Sequence, residues 1–148
     1  AYLLWSKRAA GFIEGIVETS SWKGLGQMPS QHVRGDPITV FKDRDLGDVA
    51  LLINAVSFGN ELKIITMNGE LLSEWADSMN DLSKLGDFHL ISGYGPGDCL
   101  YIPPDREVAR GGYEVERFQD FFGLSGRFVE NIDIEVRNGI NVVLRRLG

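Results

Sequence analysis

The sequence predicts an α/β fold in which a mixed sheet is flanked by helices. Three observations lead there. Apolar runs of strand length recur at 38–42, 49–58, 62–67 and 88–92, and a stretch of helical periodicity over 71–84 interrupts them. Gly59-Asn60 stands between two of those runs as the turn of a hairpin. The 148 residues are 43% hydrophobic and 24% charged, a globular balance that excludes a disordered tail, a collagen-like repeat and a coiled-coil rod. A chain of this length buries roughly 68–70% of its unfolded surface, so a core is affordable. The net charge of −6 argues against a nucleic-acid backbone as the main partner. A single cysteine, Cys99, excludes an intrachain disulfide. No apolar run reaches the roughly 18 residues of a membrane span. Ala1 to Trp5 is too short an apolar stretch for a signal peptide, and no initiator Met precedes it. The expectation is a polypeptide that is part of something longer.

Taken in order, residues 2–18 place Leu4, Ala9, Phe12, Ile13, Ile16 and Val17 on one face of an amphipathic helix weakened by Gly11 and Gly15. Residues 20–37 mix Gly24, Gly26, Pro29, Gly35 and Pro37 with polar residues, which predicts a long irregular loop of functional or interfacial use. The strands at 38–42, 49–58 and 62–67 follow, the last two apolar enough to be buried on both faces. Leu71, Leu72, Trp75, Met79 and Leu82 then fall at helical spacing, with Gly86 as the stop. After strand 88–92, residues 93–104 read as a loop and a short helix begins near Asp105. The C-terminus fits two patterns. Ile132, Ile134 and Val136, then Asn138-Gly139, then Ile140, Val142 and Leu144 make a hairpin. Phe128, Ile132, Val136, Ile140, Val143, Leu144 and Leu147 make a helix, which is the expectation taken.

In sheets of this class chemistry gathers beyond the carboxyl ends of strands. Two segments hold that position: Asn68-Gly69-Glu70 after strand 62–67, and Gly93 to Tyr101 after strand 88–92. Glu70 reads either as a first-turn acid that complements a helix dipole or as a carboxylate aimed into a cleft as ligand or base. Gly93-Tyr94-Gly95-Pro96-Gly97-Asp98 fails the dinucleotide spacing, because Asp98 stands where the third glycine belongs, and reads as a turn shaping a pocket rim. Lys42 to Asp48 alternates acids as a calcium loop does but lacks the ligand, glycine and terminal Glu of an EF-hand, so a solvated turn is expected. Arg34-Gly35-Asp36 is a chance match to an adhesion motif. His32 and His89 form no ligand pair; His89 alternates within an apolar strand as a core residue does. Cys99 has no histidine nearby and no G-x-S-x-G elbow is present, so the chain alone assembles no triad and no three-ligand zinc site.

Leu100-Tyr101-Ile102-Pro103-Pro104, then Glu107, then Gly111-Gly112-Tyr113-Glu114-Val115, resembles a stretch near the end of the catalytic domain of the neutral/alkaline ceramidase family. Ile64 to Glu70 resembles the strand and P-G-E-like turn that precede it there, with Asn68 in the place of proline. Ile91-Ser92-Gly93 resembles the family's strand before the tyrosine. The resemblance runs from about Val49 to Glu116 and thins toward both termini. It implies a zinc site of two histidines, one glutamate and one tyrosine, with Glu70 and Tyr101 as the two oxygen ligands. A carboxylate and a phenolate are donors that zinc accepts at roughly 2.0–2.2 Å. The family's histidine motifs and serine-containing loop have no counterpart in this sequence. The resemblance therefore implies the C-terminal third of such a domain, an incomplete unit: its histidines come from another polypeptide, from a homo-oligomer or from a part of the protein outside this sequence, or else the activity has been lost. The implied activity is hydrolysis of the N-acyl amide of a sphingolipid-like substrate. Tyr113 and Glu114 are expected to fix the short helix against the sheet. The alternative is a non-catalytic α/β module that binds a partner chain through the 20–37 loop and the first helix.

Overall fold

The computed structural model describes residues 30–59, 62–79, 88–95 and 100–148. They form a mixed α/β arrangement. Nine strands occur among them: β1 (Ser30–Arg34), β2 (Ile38–Asp43), β3 (Val49–Leu51), β4 (Ile53–Phe58), β5 (Leu62–Met67), β6 (Glu70–Leu71), β7 (Phe88–Ser92), β8 (Tyr101–Ile102) and β9 (Gly126–Phe128). The helices are α1 (Trp75–Met79), α2 (Asp105–Arg110), a π-helical turn at Tyr113–Arg117 that runs into α3 (Phe118–Phe122), and α4 (Ile132–Leu147). One sheet has the order β1-β4-β5-β7, antiparallel except for the parallel pair β5 and β7. A second has the order β3-β2-β9, and β6 pairs with β8 alone. The expected helix at 2–18 and Cys99 lie outside the described residues.

The hairpin at Gly59-Asn60 is present as β4 and β5, paired from Ile53↔Met67 to Phe58↔Leu62. Three other expectations change. Ser30–Arg34 is a strand rather than part of a loop, because it pairs along its length with β4 at the sheet edge, where polar Ser30, Gln31, His32 and Arg34 stay exposed. The run 49–58 is two strands in two sheets, broken at Leu52. Asn68 holds that break: its Oδ1 accepts from Leu52 N (2.6 Å), its Nδ2 donates to Ala50 O (3.3 Å), and its own amide donates to Leu52 O (3.3 Å). Nor are the central strands buried on both faces. In β4, Ile53, Ala55 and Ser57 are buried while Asn54, Val56 and Phe58 are only half-buried. Val56, Phe58, Leu62 and Ile64 line the second face of the sheet and, among the described residues, are not part of the hydrophobic core.

The core lies on the other face. α4 packs across β4, β1 and β2, and its buried Ile132, Val136, Ile140, Val143, Leu144 and Leu147 join Phe41, Leu51, Ile53, Ala55 and Ile65. A bulge between Thr39 and Phe41 turns the consecutive Val40 and Phe41 both inward. The C-terminus is thus a helix. Asn138-Gly139 lies in its middle, where an added Cβ at Gly139 would stand 2.4 Å from Ile38 Cδ1 and 2.8 Å from Ile53 Cδ1. The glycine serves close approach, not a turn. Two acids cap the helices reciprocally. The Asp105 carboxylate accepts the amides of Ile132 (2.9 Å) and Asp133 (3.3 Å), while Asp133 Oδ1 accepts the amide of Asp105 (2.9 Å).

The 42–48 segment is a turn built on Asp43. Its carboxylate is buried and accepts the amides of Asp45 (2.8 Å), Leu46 (2.7 Å) and Ser125 (2.6 Å). These bonds, Ser125's foremost, hold its pKa below the ordinary 3.8.

Two outcomes follow. A depressed carboxylate pKa gives stability that is present above the unfolded value and lost as pH falls through the folded one. Urea midpoints should therefore drop below pH 3.8, and Asp43→Asn should be less stable at pH 7 with a flatter acid limb; an identical limb would remove Asp43 as its source. For Gly139→Ala, a helix-propensity gain of up to ~1 kcal/mol opposes an overpacking cost of ~1–3 kcal/mol. Net loss of about 1 kcal/mol is expected in chemical denaturation, and a raised midpoint would show that Ile38 and Ile53 swing aside freely.

Candidate functional site

β5 and β7 run parallel, so both carboxyl ends leave the sheet at one edge. The segment after β7 continues along the segment after β5. Tyr94 N donates to Gly69 O (3.0 Å) and Gly95 N to Met67 O (2.7 Å). The chain then returns as β8 and pairs in parallel with β6, with Glu70↔Tyr101 and Leu71↔Ile102 in register. Glu70 N donates to Leu100 O (2.7 Å), and the indole Nε1 of Trp75 donates to Ile102 O (2.6 Å). These bonds explain two departures from expectation. Glu70 and Leu71 are drawn into a strand, so the helix begins only at Trp75 and Glu70 is not a first-turn acid. Tyr101 and Ile102 likewise leave the expected loop to become a strand.

In a parallel pair, residues in register carry their side chains on the same face. Ile102, 2% exposed, fixes which face that is, because it and Leu71 take the other one. Glu70 and Tyr101 are therefore neighbours on one side of the β6–β8 pair, both half-buried. Glu70 and Tyr101, the two metal-ligand candidates, come together. His32 is exposed on edge strand β1, paired with Val56. His89 is in β7 opposite Lys63, at the sheet rather than beyond it. Residues 96–99 lie outside the described set. Among the described residues no group of three His, Cys, Asp or Glu side chains is arranged to hold a metal ion. A carboxylate and a phenol are both hard oxygen donors of the kind zinc accepts.

Aromatic rings back the tyrosine. Tyr101 meets Tyr113 edge-on at 6.0 Å between centroids and Phe118 at 5.6 Å. Phe118 is fully buried and touches Phe41 and Phe128 in turn. Tyr113 thus sits beside the candidate site as well as on its own helical turn, which the sequence reading assigned to helix fixing alone. Its position depends on Gly111 (φ 69°) and Gly112 (φ 114°), the two glycines that precede it. Tyr94, 64% exposed at the rim, also has a left-handed backbone (φ 58°).

No protein-family model, no curated protein and no solved structure matches this chain.

The close approach of the three segments can be tested at Gly93. An added Cβ there would lie 2.4 Å from Gly69 O and 3.2 Å from Leu71 N, both backbone atoms that cannot rotate aside. Gly93→Ala should cost about 2–3 kcal/mol of stability. It should also speed hydrogen exchange at the Glu70 amide. Wild-type exchange there would mean that the two segments are not in contact.

Proposed function

We propose that this chain is the C-terminal part of a zinc-dependent amidohydrolase resembling neutral ceramidase, with Glu70 and Tyr101 as two of its four metal ligands. The observation that carries this reading is the β6–β8 register. Two residues thirty-one positions apart, singled out by three motifs in the family's order, are set side by side on one face at the carboxyl edge of a parallel strand pair. Two donors fit half of a closed zinc site, so in this reading the imidazoles come from outside these 148 residues. When bound, zinc supplies Lewis acidity toward an amide carbonyl and lowers the pKa of water to about 7. This chain's own part is to hold and orient. Phe118 and Tyr113 limit the Tyr101 ring to one direction, and the Leu100 carbonyl ties down the Glu70 backbone. The second face of the four-stranded sheet, with half-buried Val56, Phe58, Leu62 and Ile64 outside the core among the described residues, calls for an apolar cover.

The test is metal content of the assembled protein. Glu70→Gln is expected to abolish stoichiometric zinc retention. Tyr101→Phe keeps the ring contacts and should weaken zinc by at least about tenfold, since even outer-shell changes cost that much. Full zinc in both variants would remove the ligand roles. An assembly that holds no zinc in its unaltered form would leave the partner-binding module as the reading.

A further inference from the structure

We propose that residues 2–18 of this chain cover the second face of the four-stranded sheet as an amphipathic helix, opposite the face that α4 covers. Residues 2–18 lie outside the described residues, and two apolar surfaces carry the inference. The first is the sheet face. Register sets Val56, Ile64 and Leu90 side by side across β4, β5 and β7, with Phe58 and Leu62 paired in the next row. All five are half-buried, and among the described residues none belongs to the core. On the other side of that row, Asn54, Thr66 and Ser92 make a polar row that leads to the carboxyl edge of β5 and β7. The apolar patch is thus confined to the end of the face away from the candidate site. The second surface is the stripe of Ala9, Phe12, Ile13, Ile16 and Val17, which share one side of a helix at 100° per residue, with Lys7, Glu14 and Glu18 on the opposite side.

Reach, room and economy of burial select this occupant. β1 opens at Ser30, which pairs with Phe58 at the apolar end of the face. Residues 19–29 connect it to the stripe and span up to about 36 Å when extended. A helix over 2–18 is about 25 Å long, and four strands about 4.8 Å apart are about 14 Å across. Helix and connection therefore fit the face from either direction. The core face offers no such place, because α4 already packs across β4, β1 and β2 there. A second copy set sheet against sheet would bury two faces and leave two helical stripes in water. A helix folded back on its own sheet buries both surfaces at once, and a short tether holds it at an effective concentration in the millimolar range. The result is a sheet with helices on both sides, one of the stable layer arrangements. The stripe is then not available to a separate polypeptide. The packing needs no metal, so the proposal stands apart from the zinc reading.

The test is methyl-to-methyl nuclear Overhauser spectroscopy on the full chain, labelled at Ile, Leu and Val and kept free of zinc. Cross-peaks are expected from Ile13, Ile16 or Val17 to Val56, Leu62, Ile64 or Leu90. Assigned sheet methyls with no cross-peak to residues 2–18 overturn the proposal. Ile16→Asp should erase the cross-peaks and lower the folding equilibrium constant at least about tenfold in urea. Should that variant fail to fold, Ile16→Ala serves, with a loss of at least about tenfold expected. Glu14→Ser, on the opposite side of the helix, should change the constant less than about twofold. Wild-type stability of both Ile16 variants would show that the stripe is not buried and overturns the proposal. So does a dimer in size-exclusion chromatography whose cross-peaks join differently labelled copies, because the occupant would then be a second copy.

Discussion

Main-chain hydrogen bonds among residues 67–72, 93–95 and 100–102 decide where every candidate group stands. Each such bond contributes only about 0.5–1.5 kcal/mol net, but each orphaned donor or acceptor in a buried place costs about 1–3 kcal/mol. The set therefore resists partial rupture more than its sum suggests. Sidedness is its main product. A slip of one residue between β6 and β8 would carry Tyr101 to the opposite face. It would also expose Ile102, which is 2% accessible and whose carbonyl takes the Trp75 indole proton. Burial of an aliphatic side chain thus enforces the alignment of two polar ones. The hydrophobic effect, not any attraction between Glu70 and Tyr101, puts them together.

Much of this frame was legible in the sequence, and the illegible parts share a cause. The β4–β5 hairpin, β7, the short helix at Asp105 and the C-terminal helix all rest on patterns local to a few turns. β1 did not show itself because Ser-Gln-His-Val-Arg has no apolar alternation; only the neighbouring β4 makes it a strand. The break at Leu52 is invisible in an unbroken apolar run, since the residue that makes it, Asn68, lies sixteen positions away. β6 and β8 have two residues each, too few for any periodicity. Asn138-Gly139 is the reverse case. A strong local turn signal is overridden because Ile38 and Ile53 need the space that a glycine leaves in a helix. The site residues were named from a resemblance, and neither composition nor spacing would have paired Glu70 with Tyr101.

Asn68 ties two sheets together through three hydrogen bonds that few other residues could make. A proline there would have no amide to give to Leu52 O and no side chain to reach Leu52 N or Ala50 O. Asparagine instead ties the turn before Glu70 to the junction of two sheets. The brace lies two residues before Glu70, which stands in register with Tyr101.

The same economy links the two ends of the aromatic row. Phe118 is fully buried and borders Phe41, Phe128, Tyr101 and Phe122. A shift of α3 must therefore move the Tyr101 ring or open a cavity beside Phe118, and cavities on the scale of a lost aromatic cost about 3–5 kcal/mol. α3 is held at its other end by Gln119, whose side chain donates to Val115 O (2.9 Å) and accepts from the Gly126 amide (3.2 Å). Bracketed in this way, the helix transmits position rather than absorbing it. Phe121, Phe122 and Tyr101 are then linked through one buried ring, and their relative placement is set by the packing of Phe118.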